Sequence, residues 1–202
     1  MRVAVLTFEG FNELDSFIAA AILNRAHLKA LITCPGPRVT SMNGVAVEAQ
    51  APLAFAREAD AVIVGSGMNT REIVRDQQVM KELKLDPARQ LIGVQCSGAL
   101  ILAKLGLLGG VPACTDSTTK PWVQEAGVQV LDQPFVAHGN VATAGGCLSS
   151  QYLAAWIVAR LAGWDTAASV LHYVAPVGEK QEYVERARRA VAPYLTAERL
   201  PA

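Results

Sequence analysis

Short apolar runs alternate with repeats of helical spacing along most of this chain. The runs are continuous rather than alternating, which is typical of strands buried on both faces of a sheet. They lie at residues 3–8, 28–33, 61–64, 91–94, 128–130, 135–137 and 141–143. Helical spacing predicts helices over residues 14–22, 70–83, 99–105, 149–161 and 180–190. Strands that alternate with helices predict an α/β fold with a mostly parallel sheet.

Two turns predict antiparallel pairs within this pattern. The dipeptide Asn43-Gly44 in the middle of residues 40–48 predicts a small hairpin. The runs 135–137 and 141–143 flank His138-Gly139-Asn140 and are expected to pair across it. The chain contains no linker, internal repeat or low-complexity segment, so we expect residues 1–202 to form a single domain.

Composition narrows the class of protein further. Apolar residues make up 51% of the chain, which predicts a sizeable core. The 18 basic side chains balance the 18 acidic ones, so neither nucleic acid nor an anionic membrane is predicted as a partner. The apolar run before Glu9 is too short for a signal peptide, and no segment reaches the length of a membrane span. We therefore expect a cytoplasmic setting, in which a free reactive cysteine can persist.

The segment 91–102, LIGVQCSGALIL, combines a strand with a helix around Cys96. A cysteine on such a turn faces the N-terminus of the following helix, where unpaired N–H groups favour a thiolate. The geometry is that of a nucleophile elbow, although Val94 stands where the G-x-S-x-G pattern has glycine. The pattern alone is equally compatible with an inert buried cysteine at a strand end.

Loops that follow parallel strands gather at one edge of the sheet. The loops at 9–15, 65–69 and 114–119 are therefore expected beside Cys96. Asp15 adjoins the apolar stripe of the first helix and can point inward, where a carboxyl close to a thiolate stays protonated. The alternative is an ordinary acidic residue in a first helical turn. The turn Gly65-Ser66-Gly67 brings backbone N–H groups to the same edge.

The other cysteines and the three histidines are weaker candidates for residues of the active site. Cys34, Cys96, Cys114 and Cys147 show no CxxC spacing, so neither a metal site nor a disulfide framework is predicted. Small packing residues are the ordinary interpretation of Cys114 and Cys147, with Cys114 a candidate second thiol near the site. His27, His138 and His172 do not flank Cys96 and are expected to be structural or exposed.

Four motifs in one order resemble the DJ/ThiJ/PfpI superfamily over nearly the whole chain. They are FEGFNELDSFIAAAIL, VIVGSG, GVQCSGALILAKLGLLGG and HGNVATAGGCLSSQYLAAWIV. The resemblance implies a flavodoxin-like, glutamine-amidotransferase-like fold, with a doubly wound sheet, helices on both faces and a cysteine elbow. Homodimers are common in the superfamily, so a homodimer is expected here.

Within the superfamily the chain looks closest to the isocyanide hydratases. The evidence is an aspartate, Asp15, at the acidic position and a small residue, Ser97, after the cysteine. The resemblance implies Cys96 as nucleophile, Asp15 as its acid, and an oxyanion site at the N–H groups near Gly67 and Ser97, with Ser66 as a possible further contributor. It implies no cofactor: a small isocyanide adds to Cys96 as a thioimidate and leaves as an N-substituted formamide.

Two departures from the superfamily pattern keep other functions open. Ser97 replaces the histidine of the peptidase-like members, and Asp116 stands where many relatives carry a second histidine. A glyoxalase-like enzyme acting on 2-oxoaldehydes would use the same pair, with Asp116 as a possible further base. A non-enzymatic redox sensor would instead use oxidation of Cys96. Because the chain ends at Ala202, a regulator with an added helix-turn-helix module is not expected.

Overall fold

The computed structural model describes residues 1–195, in which strands alternate with helices. The strands are β1 (Arg2–Leu6), β2 (Lys29–Cys34), β3 (Arg38–Thr40), β4 (Ala46–Glu48), β5 (Ala51–Pro52), β6 (Ala61–Val64), β7 (Leu91–Gln95), β8 (Phe135–His138) and β9 (Val141–Ala144). The α-helices are α1 (Glu13–Arg25), α2 (Thr70–Ile73), α3 (Gln77–Glu82), α4 (Gly98–Lys104), α5 (Lys120–Glu125), α6 (Ser150–Ala162), α7 (Trp164–Val174) and α8 (Lys180–Val191). Short 3₁₀ turns occupy Leu53–Arg57, Cys147–Ser149 and Ala192–Tyr194.

Seven of these strands form one sheet in the order β5-β2-β1-β6-β7-β9-β8. Every neighbouring pair is parallel except β8 and β9, which form the predicted hairpin. The strands β2, β1, β6, β7 and β9 follow the flavodoxin-like order, in which the ligand crevice lies at the carboxyl ends beside β1 and β6. The pair β3–β4 forms a separate antiparallel ribbon, also as predicted.

Alternate side chains of β1 explain why its sequence is continuously apolar. Val3 and Val5 lie in a core shared with α1, α6, α7 and α8, whereas Ala4 and Leu6 lie in a second core with α4 and α5. All four side chains are fully buried. The sheet is therefore covered on both faces, which confirms the predicted doubly wound architecture.

Two predicted elements differ from the structure. The helix expected over 70–83 is divided into α2 and α3, because Asp76 accepts hydrogen bonds from the N–H groups of Gln78 and Val79 and thereby begins a new helix. The strand expected over 128–130 is only an isolated bridge between Ala113 and Val130. Residues 196–202 of the predicted single domain lie outside the described residues. Within residues 1–195, no helix combines the length and the apolar character needed to cross a bilayer.

Glycines let the ends of β1, β6 and β7 approach one another at backbone distance. A Cβ at Gly98 would lie 2.9 Å from the carbonyl oxygen of Gly65 and 3.0 Å from that of Val64. A Cβ at Gly65 would lie 2.8 Å from the carbonyl oxygen of Leu6. No side chain fits between these backbones, so the start of α4 is fixed directly against the turn that follows β6.

We expect Gly98→Ala to destabilise the protein by about 1–3 kcal/mol, because the added methyl must displace backbone rather than a flexible side chain. Gly109→Ala is the matched control, since its Cβ would lie 3.7 Å from the nearest atom, the carbonyl oxygen of Gly106. Urea unfolding of both variants measures the effect. Equal midpoints for the two variants would show that α4 adjusts freely.

Candidate active site

Cys96 occupies the turn between β7 and α4 that the sequence predicts. Its φ is 43°, a left-handed conformation that non-glycine residues rarely adopt, and its N–H donates to the carbonyl oxygen of Ala144 at 2.8 Å. The strand end and the helix start hold the residue in this conformation. The side chain is buried with 4% of its surface exposed, and its sulfur lines a cavity at the carboxyl edge of the sheet.

Asp15 points inward from the first turn of α1. Asn12 begins that helix by accepting a hydrogen bond from the N–H of Leu14 at 3.1 Å, which turns the following side chains toward the sheet. The Asp15 carboxyl accepts hydrogen bonds from the hydroxyls of Ser66 at 2.5 Å and Ser16 at 3.2 Å. Burial raises the pKa of Asp15 to about 7, against the opposing effect of the two serines.

Cys147 joins these two residues, although the sequence, which places it near this edge of the sheet, led us to interpret it as a packing residue. The sulfurs of Cys96 and Cys147 and a carboxylate oxygen of Asp15 all lie within 4.8 Å of one another. Cys114, the second thiol that the sequence favoured, is fully buried beside β9, and burial raises its pKa to about 12. The available signal for Cys147 was its position just after β9, the strand next to β7.

Two side-chain amides donate to the sulfurs. Nε2 of Gln95 lies 3.3 Å from Sγ of Cys96 and also donates to the carbonyl oxygen of Gly146 at 2.8 Å. Nδ2 of Asn12 donates to Sγ of Cys147 at 3.1 Å. The Gln95 amide therefore fixes the loop after β9 against the elbow, and each sulfur of the pair has one N–H donor.

The prediction that the elbow favours a thiolate is wrong for the resting site. Burial raises the pKa of the Cys96 thiol, and the nearby Asp15, Asp116 and Cys147 raise it further, while the Gln95 amide only partly opposes them. Because a charge on Asp15 disfavours a charge on Cys96, the two groups are coupled acids. Below pH 7 both groups hold a proton, and above pH 7 the pair holds one proton; a thiolate forms most readily when that proton lies on Asp15.

The two backbone groups predicted to line an oxyanion site differ in availability. The N–H of Gly67 donates to Oγ of Ser97 at 3.0 Å, and that hydroxyl also lies 2.7 Å from Oγ1 of Thr70. The Gly67 N–H is thus engaged within the protein. No acceptor among residues 1–195 contacts the N–H of Ser97. In a nucleophile elbow the N–H after the nucleophile contributes to the oxyanion site.

Asp116 lines the cavity, but its carboxyl is engaged in a turn. One oxygen accepts from the N–H groups of Thr118 at 2.9 Å and Thr119 at 3.0 Å, and the other accepts from the hydroxyl of Thr119 at 2.6 Å. These bonds form the turn that leads into α5. Asp116 therefore contributes negative potential near Cys96 and has no oxygen free of these contacts.

The cavity around Cys96 has a volume of about 430 Å³. It is lined by polar groups at the strand ends and by three large apolar side chains, Met42, Met68 and Trp122. Within the described residues no histidine lines it, and His27 and His172 lie at a different cavity beside α7. Among the described residues, the titratable groups that line it are those of Cys96, Asp116 and Cys147, and the Asp15 carboxyl lies within 4.8 Å of the two sulfurs.

Comparisons with known proteins agree with this architecture. The sequence model of the DJ-1/PfpI family matches residues 1–160, whereas no curated protein matches the chain. The DJ-1 of Schizosaccharomyces pombe is 20% identical over 87% of this chain and 100% of its own, with a TM-score of 0.77. Drosophila melanogaster DJ-1beta is 24% identical over 86% of this chain and 96% of its own, with a TM-score of 0.77. An oxidized Toxoplasma gondii DJ-1 is 19% identical over 86% and 97%, with a TM-score of 0.74.

We expect the pH dependence of stability to reveal the buried Asp15 carboxyl. Its folded pKa of about 7 lies above the ordinary value of 3.8, so above pH 4 the unfolded chain releases a proton that the folded protein retains. The resulting penalty grows as the pH rises from about 4 to 7 and is constant above pH 7. Asp15→Asn lacks this penalty. We therefore expect its free energy of unfolding, relative to that of wild type, to increase by roughly 4 kcal/mol as the pH rises from 4 to 7.

Urea unfolding of both proteins at pH values from 4 to 8 measures this difference. Glu48→Gln, on the exposed ribbon strand β4, is the control for loss of one negative charge. A stability difference between Asp15→Asn and wild type that stays constant across the range would contradict the raised pKa.

Proposed function

Because this chain belongs to the DJ-1/PfpI family, we propose that it is a cysteine-dependent enzyme that hydrates a small isocyanide to an N-substituted formamide. The observation that carries the proposal is the pair Cys96–Asp15, a buried thiol and a buried carboxyl within 4.8 Å of each other, in a cavity that no histidine among the described residues lines. Hydration of an isocyanide needs a nucleophile and one mobile proton. Because the substrate releases no leaving group, no second acid is needed to protonate one.

The first step forms a covalent thioimidate. The Cys96 sulfur bonds to the terminal carbon of the isocyanide, and the shared proton passes from the Asp15 carboxyl to the same carbon. Addition of the sulfur and the proton consumes the thiol without releasing any group. Ser66 keeps the carboxyl oriented toward the site through its 2.5 Å hydrogen bond.

The second step releases the product. A water molecule adds to the thioimidate carbon, its protons pass to the nitrogen and to the thiol–carboxyl pair, and the carbon–sulfur bond breaks. The formamide leaves, and Cys96 and Asp15 again hold one proton. The unpaired N–H of Ser97 is available to the oxygen that develops negative charge when water adds.

The walls of the cavity support an apolar substituent on the substrate. Met42, Met68 and Trp122 supply flexible and aromatic surface, and a volume of about 430 Å³ accommodates a small aryl or alkyl isocyanide. Among residues 1–195 the charged side chains at the cavity are all acidic, so a neutral substrate suits it better than an anion.

The structure supports the two alternative functions, a glyoxalase-like reaction and redox sensing, to different extents. A glyoxalase-like reaction on a 2-oxoaldehyde requires a further base, and the Asp116 carboxyl is engaged with Thr118 and Thr119. A redox-sensing role is favoured by a specific observation, the second thiol of Cys147 beside Cys96. We retain it as the second candidate.

We also propose that the protein acts as a homodimer in the cytoplasm. Exposed apolar residues on a helix support such an association, and α1 presents Leu14 and Phe17 to solvent beside the site. The partner in the reaction is a small molecule, with no nucleic acid or membrane involved.

We expect Cys96→Ser to abolish turnover of a simple aryl isocyanide, because the hydroxyl is a far weaker nucleophile than the sulfur. Formamide absorbance under steady-state conditions measures the rate. Cys34→Ser is the matched control, since the new hydroxyl can keep the contact with Oγ1 of Thr7 and lies outside the cavity. Retained activity in Cys96→Ser would remove Cys96 from the mechanism.

We expect Asp15→Asn to lower kcat about 10²-fold or more, because asparagine keeps the size of the side chain and lacks the mobile proton. The same assay with kcat and kcat/KM determined separately measures the loss. The protein must remain folded, which the unfolding experiment on this variant establishes. An unchanged kcat would show that Asp15 is an ordinary acidic residue in the first turn of α1 and does not act as the acid.

A further inference from the structure

Two thiols face the same cavity from neighbouring strands. Gln95 of β7 is in register with Ala144 of β9, so Cys96 and Cys147 begin the loops at adjacent strand ends. Their sulfurs lie within 4.8 Å of each other, and a disulfide requires about 2.05 Å. The two sulfurs therefore have to approach each other by at most about 2.8 Å for the bond to form.

We propose that Cys147 is the resolving thiol for Cys96. A hydroperoxide that enters the cavity oxidises Cys96, and Cys147 then closes an intramolecular disulfide that reversibly blocks the nucleophile. The inference rests on the proposed function, in that Cys96 is taken to be the reactive thiol of the site. It adds to that function a modification that neither the family nor the reaction assigns to Cys147.

The chemistry balances with hydroperoxide as the only oxidant. The Cys96 thiolate attacks the terminal, hydroxyl oxygen of the hydroperoxide, the O–O bond breaks, and the released alkoxide or hydroxide takes up the proton that the thiol gave up. The sulfenic acid on Cys96 then reacts with the thiol of Cys147, forming the S–S bond and releasing water. Each hydroperoxide is reduced by two electrons, which the two thiols supply together.

The contacts around Cys147 suit it to this role. Its side chain is half-buried at the cavity, so a small oxidant and a reductant can both reach the pair. The Asn12 amide donates to its sulfur at 3.1 Å and so holds it in place at the cavity. The Gln95 amide, bonded to both Cys96 and Gly146, keeps the two loops together while the bond forms.

Cys147 also protects the nucleophile from irreversible loss. Without a resolving thiol, a second hydroperoxide converts the sulfenic acid to a sulfinic acid, which thiol reductants do not reverse. We therefore expect wild type and Cys147→Ser to differ in the product of oxidation, which a purely structural role of Cys147 would not produce.

Hydrogen peroxide titration with intact-mass readout tests the proposal, with EDTA present to keep metal ions from the thiols. Wild type should lose about 2 Da together with two alkylatable thiols, and a phosphine reductant should restore both. Cys147→Ser should instead gain about 32 Da, which the reductant does not reverse. Cys34→Ser is the control and should behave as wild type. Peptide mapping should join Cys96 to Cys147.

Three results would overturn the proposal: a gain of 32 Da in wild type at low peroxide with no disulfide, a disulfide between another pair of cysteines, or the same product in Cys147→Ser and wild type. The mass readout uses no isocyanide, so it is separate from the turnover test. A Cys96–Cys147 disulfide in a protein that does not turn over isocyanide supports this inference and removes only the hydratase assignment.

Discussion

The proximity of a buried carboxyl to a buried thiol is the constraint on which the site depends. Neither Asp15 nor Cys96 has a cationic partner in the part of the chain that the structure describes, so each group opposes ionisation of the other, and burial opposes both. The pair is therefore a single unit that holds a proton, rather than a preformed thiolate beside a separate acid. Two serine hydroxyls orient the carboxyl, and the Gln95 amide contacts the sulfur, so the protein fixes the geometry without adding a second charge.

Glycine is what brings the pair together. The ends of β1, β6 and β7 approach at distances that leave no room for a Cβ at Gly65 or Gly98. Asp15 therefore reaches the elbow from the helix after β1, while Ser66 reaches the carboxyl from the turn after β6. The flavodoxin-like order places these strands side by side, and the close contact of their ends makes a small cavity in which the Asp15 carboxyl lies close to the Cys96 thiol.

The sequence was sufficient to predict the sheet, the elbow and the inward position of Asp15, because each is encoded locally. Continuous apolar runs distinguish buried strands, and the Asn12 cap fixes which residues of α1 face inward. The break at Asp76 and the loss of a strand at 128–130 depend on competing hydrogen bonds and on packing, which periodicity does not record. Cys147 was interpreted as a packing residue for a similar reason, because its distance from Cys96 follows from the register of β7 and β9 rather than from any local motif.

The pairing of β7 with β9, which brings Cys96 and Cys147 together, also determines when during synthesis and folding the site can form. The residues of the site come from six segments that span positions 12 to 147 of the chain: those after β1, β6, β7 and β9, the turn between β3 and β4, and residues 116–122. Contacts between segments so distant in sequence must bear the entropy of closing long loops, which slows their formation. No fragment that lacks β9 contains the thiol pair, so a chain emerging from the ribosome acquires this chemistry only after most of the sheet has been synthesised and assembled.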